Sequence, residues 1–405
     1  MVNASDHLRV LAGPFARELL RSQGLHAEQI SAVAGAAGGP KGLILGPLDQ
    51  LIFGDWLAAS GQSVALIGAS IGCWRLAAAC APDPLQKLKA FSQAYIEQDY
   101  RIPEGRRRPD PAAVSASFAD GLAVFFGDLS QAVLEHPRYR LHVVTARGNG
   151  ALARAALAKP AVNPLGLSLA FSRAWLANAV SRTALGAHLE RVVFSAPGLQ
   201  STRASAEVDT AAESSALETG FEAPFAQPVG FAEALFLGDY PTSQVRLDRS
   251  NWLDAMQASC SIPMVLDPVW DIKGAPKGPY WDGGLTDYHL RLNYRALEPG
   301  LVLYPHFIDR LIPGWLDKPW IWRHRAPAGL NNLVLLCPSK TWIARLPDAR
   351  LPDRQDFVRF AHDPVARMRR WRVVVQQAEL LAEAFERFIR DPGCIRVEPL
   401  AGARA

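Results

Sequence analysis

The chain has 405 residues, about half of them apolar and a fifth charged, which is globular composition long enough for one large α/β domain or two medium ones. A formal net charge of +4 permits attraction to anionic lipid surfaces, but it is too small to argue for nucleic acid, and no basic stripe interleaved with aromatics appears. The five cysteines (Cys73, Cys80, Cys260, Cys337 and Cys394) are too scattered for a disulfide framework or a metal knuckle and fit a reducing, cytoplasmic setting.

Taken in chain order, residues 8–22 carry apolar positions at helical spacing and predict an opening helix. The N-terminus mixes polar and charged residues where a secretory signal needs an apolar run, and no stretch reaches the roughly 20 apolar residues of a membrane span. Ile30 to Ala34 reads as a strand, breaking into Gly35-Ala36-Ala37-Gly38-Gly39-Pro40-Lys41-Gly42, and Leu43 to Leu57 reads as a helix. The pattern repeats in Ser63 to Ile67 (strand), Gly68-Ala69-Ser70-Ile71-Gly72 (turn) and Cys73 to Ala81 (helix, stopped by Pro82). Two successive strand–turn–helix units predict a parallel sheet covered by helices. Further strands are predicted at Arg140 to Thr145, Arg191 to Ser195 and Leu333 to Cys337. Residues 151–190 read as helical, either a cap over a pocket or ordinary core, and 199–225 as an exposed loop. Asn251 to Ser259 predicts a short helix, and Pro364 to Ile389 one long closing helix.

The sharpest chemical feature is Gly68-Ala69-Ser70-Ile71-Gly72, a G-x-S-x-G between a strand and a helix. The glycines allow a strained turn and close chain approach, and the helix starting after Ser70 aims free N–H groups at its oxygen. A serine hydroxyl needs a base. None of the nine histidines sits in a distinctive motif, although His362 would serve in a Ser-Asp-His order. Among the carboxylates, Tyr280-Trp281-Asp282-Gly283-Gly284 sets an acid on a glycine turn behind two aromatics, where shielding from water would raise its basicity. An ordinary Asp-Gly turn is the plainer reading. Asp271 and Asp287 flank the same region, without such a turn at Asp287. Gly38-Gly39-Pro40-Lys41-Gly42 offers backbone donors to an anion, which is either a bound phosphate or the oxyanion of an acyl intermediate. The spacing lacks the phosphate-loop pattern.

The glycine turn, the G-x-S-x-G and the distant Asp282-Gly283-Gly284, in that order, resemble the patatin-like phospholipase family. Ala258-Ser259-Cys260-Ser261-Ile262-Pro263 is similar to the segment that precedes that family's aspartate, and the resemblance covers roughly residues 30–290. It implies a three-layer α/β/α fold with a mostly parallel central sheet. It also implies a Ser70–Asp282 dyad without histidine, an oxyanion hole from Gly38 and Gly39, and Lys41 near that hole. Gly42, Gly68, Gly72, Gly283 and Gly284 are the motif glycines. The chain departs from the family pattern in two ways: Ala36 and Ala37 replace its leading acid and first glycine, and Lys41 stands where arginine is common.

The reading is a serine acyl-ester hydrolase acting on a lipid or other fatty-acyl ester, with no cofactor and no metal. Its domain spans 1–300, with an insertion at about 150–240 and a C-terminal extension at 301–405. The alternatives are a Ser-Asp-His esterase and an inactive lipid- or partner-binding scaffold. Trp315, Trp320 and Trp322 beside Arg323, His324 and Arg325 suit either a packed surface loop or peripheral contact with a membrane. Arg106, Arg107 and Arg108 read as a solvated loop.

Overall fold

The computed structural model describes residues 3–99, 111–157, 164–197, 234–236 and 238–400. The predicted exposed loop at 199–225 and the arginines at 106–108 lie outside them. The architecture is α/β, built on an 11-stranded, mostly parallel mixed sheet. Its strands in chain order are β1 (Leu8–Ala12), β2 (Ile30–Gly35), β3 (Val64–Ala69), β4 (Tyr139–Gly148), β5 (Leu189–Ser195), β6 (Thr242–Arg246), β7 (Val269–Trp270), β8 (Pro279–Asp282), β9 (Leu301–Pro305), β10 (Leu333–Pro338) and β11 (Val397–Pro399). Spatially they run β11-β1-β10-β9-β2-β3-β4-β5-β6, with β8 joining β4 to β7. The central block β10-β9-β2-β3-β4 is parallel throughout.

A parallel sheet is expected to be buried on both faces, and the side chains show it. Val33, Leu66, Leu141 and Val143 enter one apolar cluster, while their neighbours Ala32, Ala34, Ile67 and Val144 enter another. Period-2 alternation thus sends successive residues to opposite, equally apolar sides, compatible with a three-layer α/β/α arrangement.

The two strand–turn–helix units appear where the sequence puts them, except that the helix expected from Leu43 to Leu57 divides into a 3-10 stretch (Gly39–Leu45), an α-helix (Gly46–Leu51) and a π-helical turn (Ile52–Trp56). β2 and β3 pair in parallel, Gly35 opposite Gly68, so their turns emerge side by side at the carboxyl ends. Two further local expectations are corrected. Residues 8–12 form β1, not the start of a helix, which begins only at Pro14 and ends at Gln23. The strand is held antiparallel to β10, more than 300 residues away, so local spacing carries no trace of its partner. The closing helix is broken into Pro364–Gln377 and Glu379–Arg390 at Ala378. Trp371 and Val374 are buried on the first half and Leu381, Phe385 and Phe388 on the second, with Val374 and Leu381 meeting in one apolar cluster.

The region 150–197 contributes the helices Gly150–Leu157 and Pro164–Val180 and then β5. Residues 301–400 belong to the same sheet through β9, β10 and β11. Among the described residues no helix is long and apolar enough to cross a membrane.

Candidate active site

Ser70 sits at the tip between β3 and the helix Ile71–Ala78, with φ 55° and ψ −134°. That backbone region costs a non-glycine residue about 1–3 kcal/mol and persists only where the surroundings enforce it. Three contacts do so. A methyl on Gly72 would overlap the Gly35 carbonyl, so the turn leans directly on the end of β2. The Ser70 N–H donates to Ser259 Oγ at 2.9 Å, and Ser259 Oγ donates to the Val144 carbonyl at 2.7 Å. Arg75, lower on the serine's helix, makes a buried bidentate pair with Asp49 at 2.6 Å, clamping it to the helix Gly46–Leu51 that follows the first glycine turn.

Asp282 ends β8, which lies antiparallel to β4 with Asp282 opposite Thr145. Its N–H donates to Ser261 O at 2.8 Å, and Gly283 packs so closely on Val144 that a side chain there would overlap the carbonyl. The Ser70 hydroxyl donates to Asp282 Oδ2 at 2.8 Å across 212 residues of sequence, while Oδ1 accepts the Gly284 N–H at 2.7 Å. Ser70 and Asp282 are 3% and 5% exposed. Burial pushes the Asp282 carboxyl above its ordinary pKa, against the opposing pull of the Arg354 charge, the serine hydroxyl and the Gly284 N–H. A carboxylate so placed is a stronger base than one in water, and it already accepts a hydrogen bond from the hydroxyl whose proton it would remove.

The glycine turn lies beside this pair. Gly38 closes against the Phe307 ring and Gly39 takes φ 55°, a left-handed conformation natural to glycine, with Arg354 packed over it. The N–H groups of Gly38 and Gly39 donate to no acceptor among the described residues, which leaves them open to an oxyanion. Gly39 begins a helical turn running to Leu45, so the turn is tighter than the sequence suggests. Gly42 abuts the Ile71 side chain, Gly68 the backbone of Cys73, and Gly284 the Ala37 side chain, so the motif glycines join the two turns and the aspartate loop. The Lys41 ammonium lies 5.6 Å from the Phe307 ring centroid, and burial pushes its pKa down.

The structure separates the remaining candidates from this centre. Asp287 is held by Arg191 in a buried bidentate pair at 2.6 Å. Asp271 closes the β7–β8 hairpin by accepting the Gly278 N–H at 2.8 Å. His362 is exposed, between the helices Gln355–Arg359 and Pro364–Gln377. His289 and His306 are buried against Phe307, and burial pushes both pKa values down, His306 to about 3. Among the described residues no histidine nitrogen bonds to Ser70 or Asp282. Cys73 has Cys260 as its thiol neighbour, and all five cysteines are free. Trp320 packs on Trp175, whereas Ile321 and Trp322 are exposed.

Three residues near the dyad escaped sequence reasoning. Ser259 falls in a segment singled out for its motif, but its bond to the Ser70 amide is a tertiary fact. Arg354, with Nη2 3.8 Å from Asp282 Oδ2, and Lys318, whose charge acts on Asp282, come from regions with no catalytic motif, Lys318 from the tryptophan-rich stretch read only as a surface loop or membrane contact.

The chain matches no protein-family model and no curated protein.

Proposed function

We propose that this protein is a serine acyl-ester hydrolase of the patatin-like kind, with a three-layer α/β/α fold and a Ser70–Asp282 dyad acting on a lipid or other fatty-acyl ester. The observation that carries the reading is the 2.8 Å hydrogen bond from a serine at φ 55° to a buried carboxylate of raised pKa. Ser70 Oγ attacks the acyl carbon as its proton passes to Asp282. The carbonyl oxygen becomes an oxyanion facing the N–H groups of Gly38 and Gly39. Collapse expels the alcohol, which takes the proton back from Asp282 and leaves the acyl group on Ser70. Water then attacks the acyl carbon, giving its proton to Asp282; the carboxylic acid leaves and Ser70 regains its proton. Exposed Ile321 and Trp322, beside Arg323 and Arg325, suit transient contact with a membrane carrying the substrate.

A fluorophosphonate probe tests the nucleophile: wild type should label and Ser70→Ala should not. An absence of labelling in wild type would favour the inactive scaffold. Turnover of p-nitrophenyl esters of graded chain length tests the base, with Asp282→Asn expected to lower kcat by about 10²–10⁴. Full activity in that variant would remove Asp282 from the mechanism while leaving Ser70 in place.

A further inference from the structure

We infer that Lys318 and Arg354, with Lys41, form a subsite for an anionic group, a carboxylate or phosphate, carried by the substrate beside its scissile acyl carbon. The inference rests on reading Ser70–Asp282 as the dyad, since that is what places the acyl carbon. Arg354 stands one carboxylate away from the nucleophile: its Nη2 is 3.8 Å from the Asp282 oxygen that holds the Ser70 hydroxyl, and its side chain packs over Gly39. That side chain is 40% exposed while the carboxylate it meets is buried, so it spans from the dyad to solvent. Lys318 approaches from another loop, its ammonium 4.0 Å from the Tyr288 ring centroid and 5.2 Å from that of Trp315. The Tyr288 backbone carbonyl in turn accepts the Ala37 N–H at 3.0 Å, which ties the residue under this cation to the glycine turn.

What marks the cluster as a site is its missing counter-charge. Among the described residues the side chains of Lys41, Lys318 and Arg354 donate no hydrogen bond, and the Asp282 contact is the one ion pair any of them makes. The acids adjoining them in sequence are engaged elsewhere. Asp317 is occupied by Arg182, Arg323, Asn178 and the Gly314 N–H. Asp356 is occupied by Arg350, Arg359, Arg370 and Trp371. Asp353 is the one further carboxylate that acts on Lys41. Three cations thus face Asp282 and Asp353, and Asp282 loses its own charge whenever it takes the serine proton. Consistent with that excess, burial together with the charges of Arg354 and Lys41 pushes the Lys318 pKa down to about 7. Cations assembled for stability alone would carry partnering acids; these are left with unused donors beside the glycine turn and the dyad, one of them 3.8 Å from Asp282 Oδ2.

Two measurements test this independently of one another. Titration calorimetry of inorganic phosphate, and in parallel of acetate, into the Ser70→Ala protein should show saturable binding. Either Lys318→Met or Arg354→Met in that background should weaken it about tenfold or more; the stronger of the two anions identifies the group recognised. On otherwise wild-type protein, the ratio of kcat/KM for mono-p-nitrophenyl adipate to that for p-nitrophenyl hexanoate should exceed one and fall about tenfold in each variant. The subsite is overturned if neither anion binds, or if both variants depress the two esters equally, which would assign the cations to the oxyanion alone. Anion binding lost in the variants, with no esterase activity in wild type, would keep the subsite and reject the dyad. Esterase activity with no anion preference and no binding would do the reverse.

Discussion

Ser259 and Ser70, 189 residues apart, are joined by a hydrogen bond in which the Ser259 hydroxyl accepts the nucleophile's amide at 2.9 Å. Because the same hydroxyl donates to Val144 O on β4, one side chain ties the strained turn to the neighbouring strand. Ser259→Ala would leave a buried N–H and a buried carbonyl unpaired, at a cost of about 1–3 kcal/mol. Urea denaturation should show that loss. Fluorophosphonate labelling of Ser70 should slow as well, because the turn that aims its oxygen is freed; unchanged stability and labelling would mean the bond contributes nothing.

The pH dependence follows from two groups shifted in opposite directions. Asp282 faces Ser70, the Gly284 N–H, Arg354, Lys318 and Cys260, and burial holds its pKa above the ordinary value. As a base it must be ionised, so kcat/KM for a neutral ester should rise with pH through that raised pKa and then level off. Lys318 faces Arg354, Lys41, Asp282, Tyr288 and Trp315 and titrates near 7. Its charge is present below that pH and lost above it, so inhibition by acetate, which stays singly charged across this range, should weaken as pH rises past about 7. Inhibition that strengthens with pH would contradict the assignment.

The same shift of Asp282 carries a stability consequence. A carboxyl whose folded pKa is raised favours folding while protonated and opposes it once pH passes from the unfolded toward the folded value. Asp282→Asn removes that penalty, so its Tm at neutral pH should exceed that of wild type, with the excess shrinking as pH falls. A lower Tm at neutral pH would show that the carboxylate's hydrogen bonds outweigh its burial.

Asp317 offers a contrasting case. Its carboxylate accepts from Arg182 and Arg323 at 2.9 Å each, from Asn178 at 3.0 Å and from the Gly314 N–H at 2.9 Å, and it is fully buried. Asp317→Asn leaves two arginines without this charge; of the two, Asp239 pairs Arg182 alone, and it is shared with Arg191. A loss of about 3 kcal/mol is expected in denaturant unfolding. Since Lys318 is the next residue, phosphate affinity should fall with it.

The strand–turn–helix units around Gly38-Gly39 and Ser70 were legible because their information is local: apolar runs, glycines and the first turn of a helix lie within a dozen residues of one another. The candidate nucleophile and the α/β class followed from that alone. Asp282 needed more, because an Asp-Gly turn is commonplace, and what distinguishes it is a hydroxyl 212 residues away. β1 was misread for the same reason, since Leu8–Ala12 becomes a strand only by pairing with Leu333–Pro338. Ser259 stands in a motif segment and Lys318 in a tryptophan-rich one, but neither of them nor Arg354 carries a signal of its own role, because their contacts with the dyad are made across the fold. The chain by itself determined which turns form and where a serine would be strained. Tertiary structure decided which carboxylate meets that serine, what holds its backbone and which cations gather over it, because burial and charge depend on distances that sequence separation does not encode.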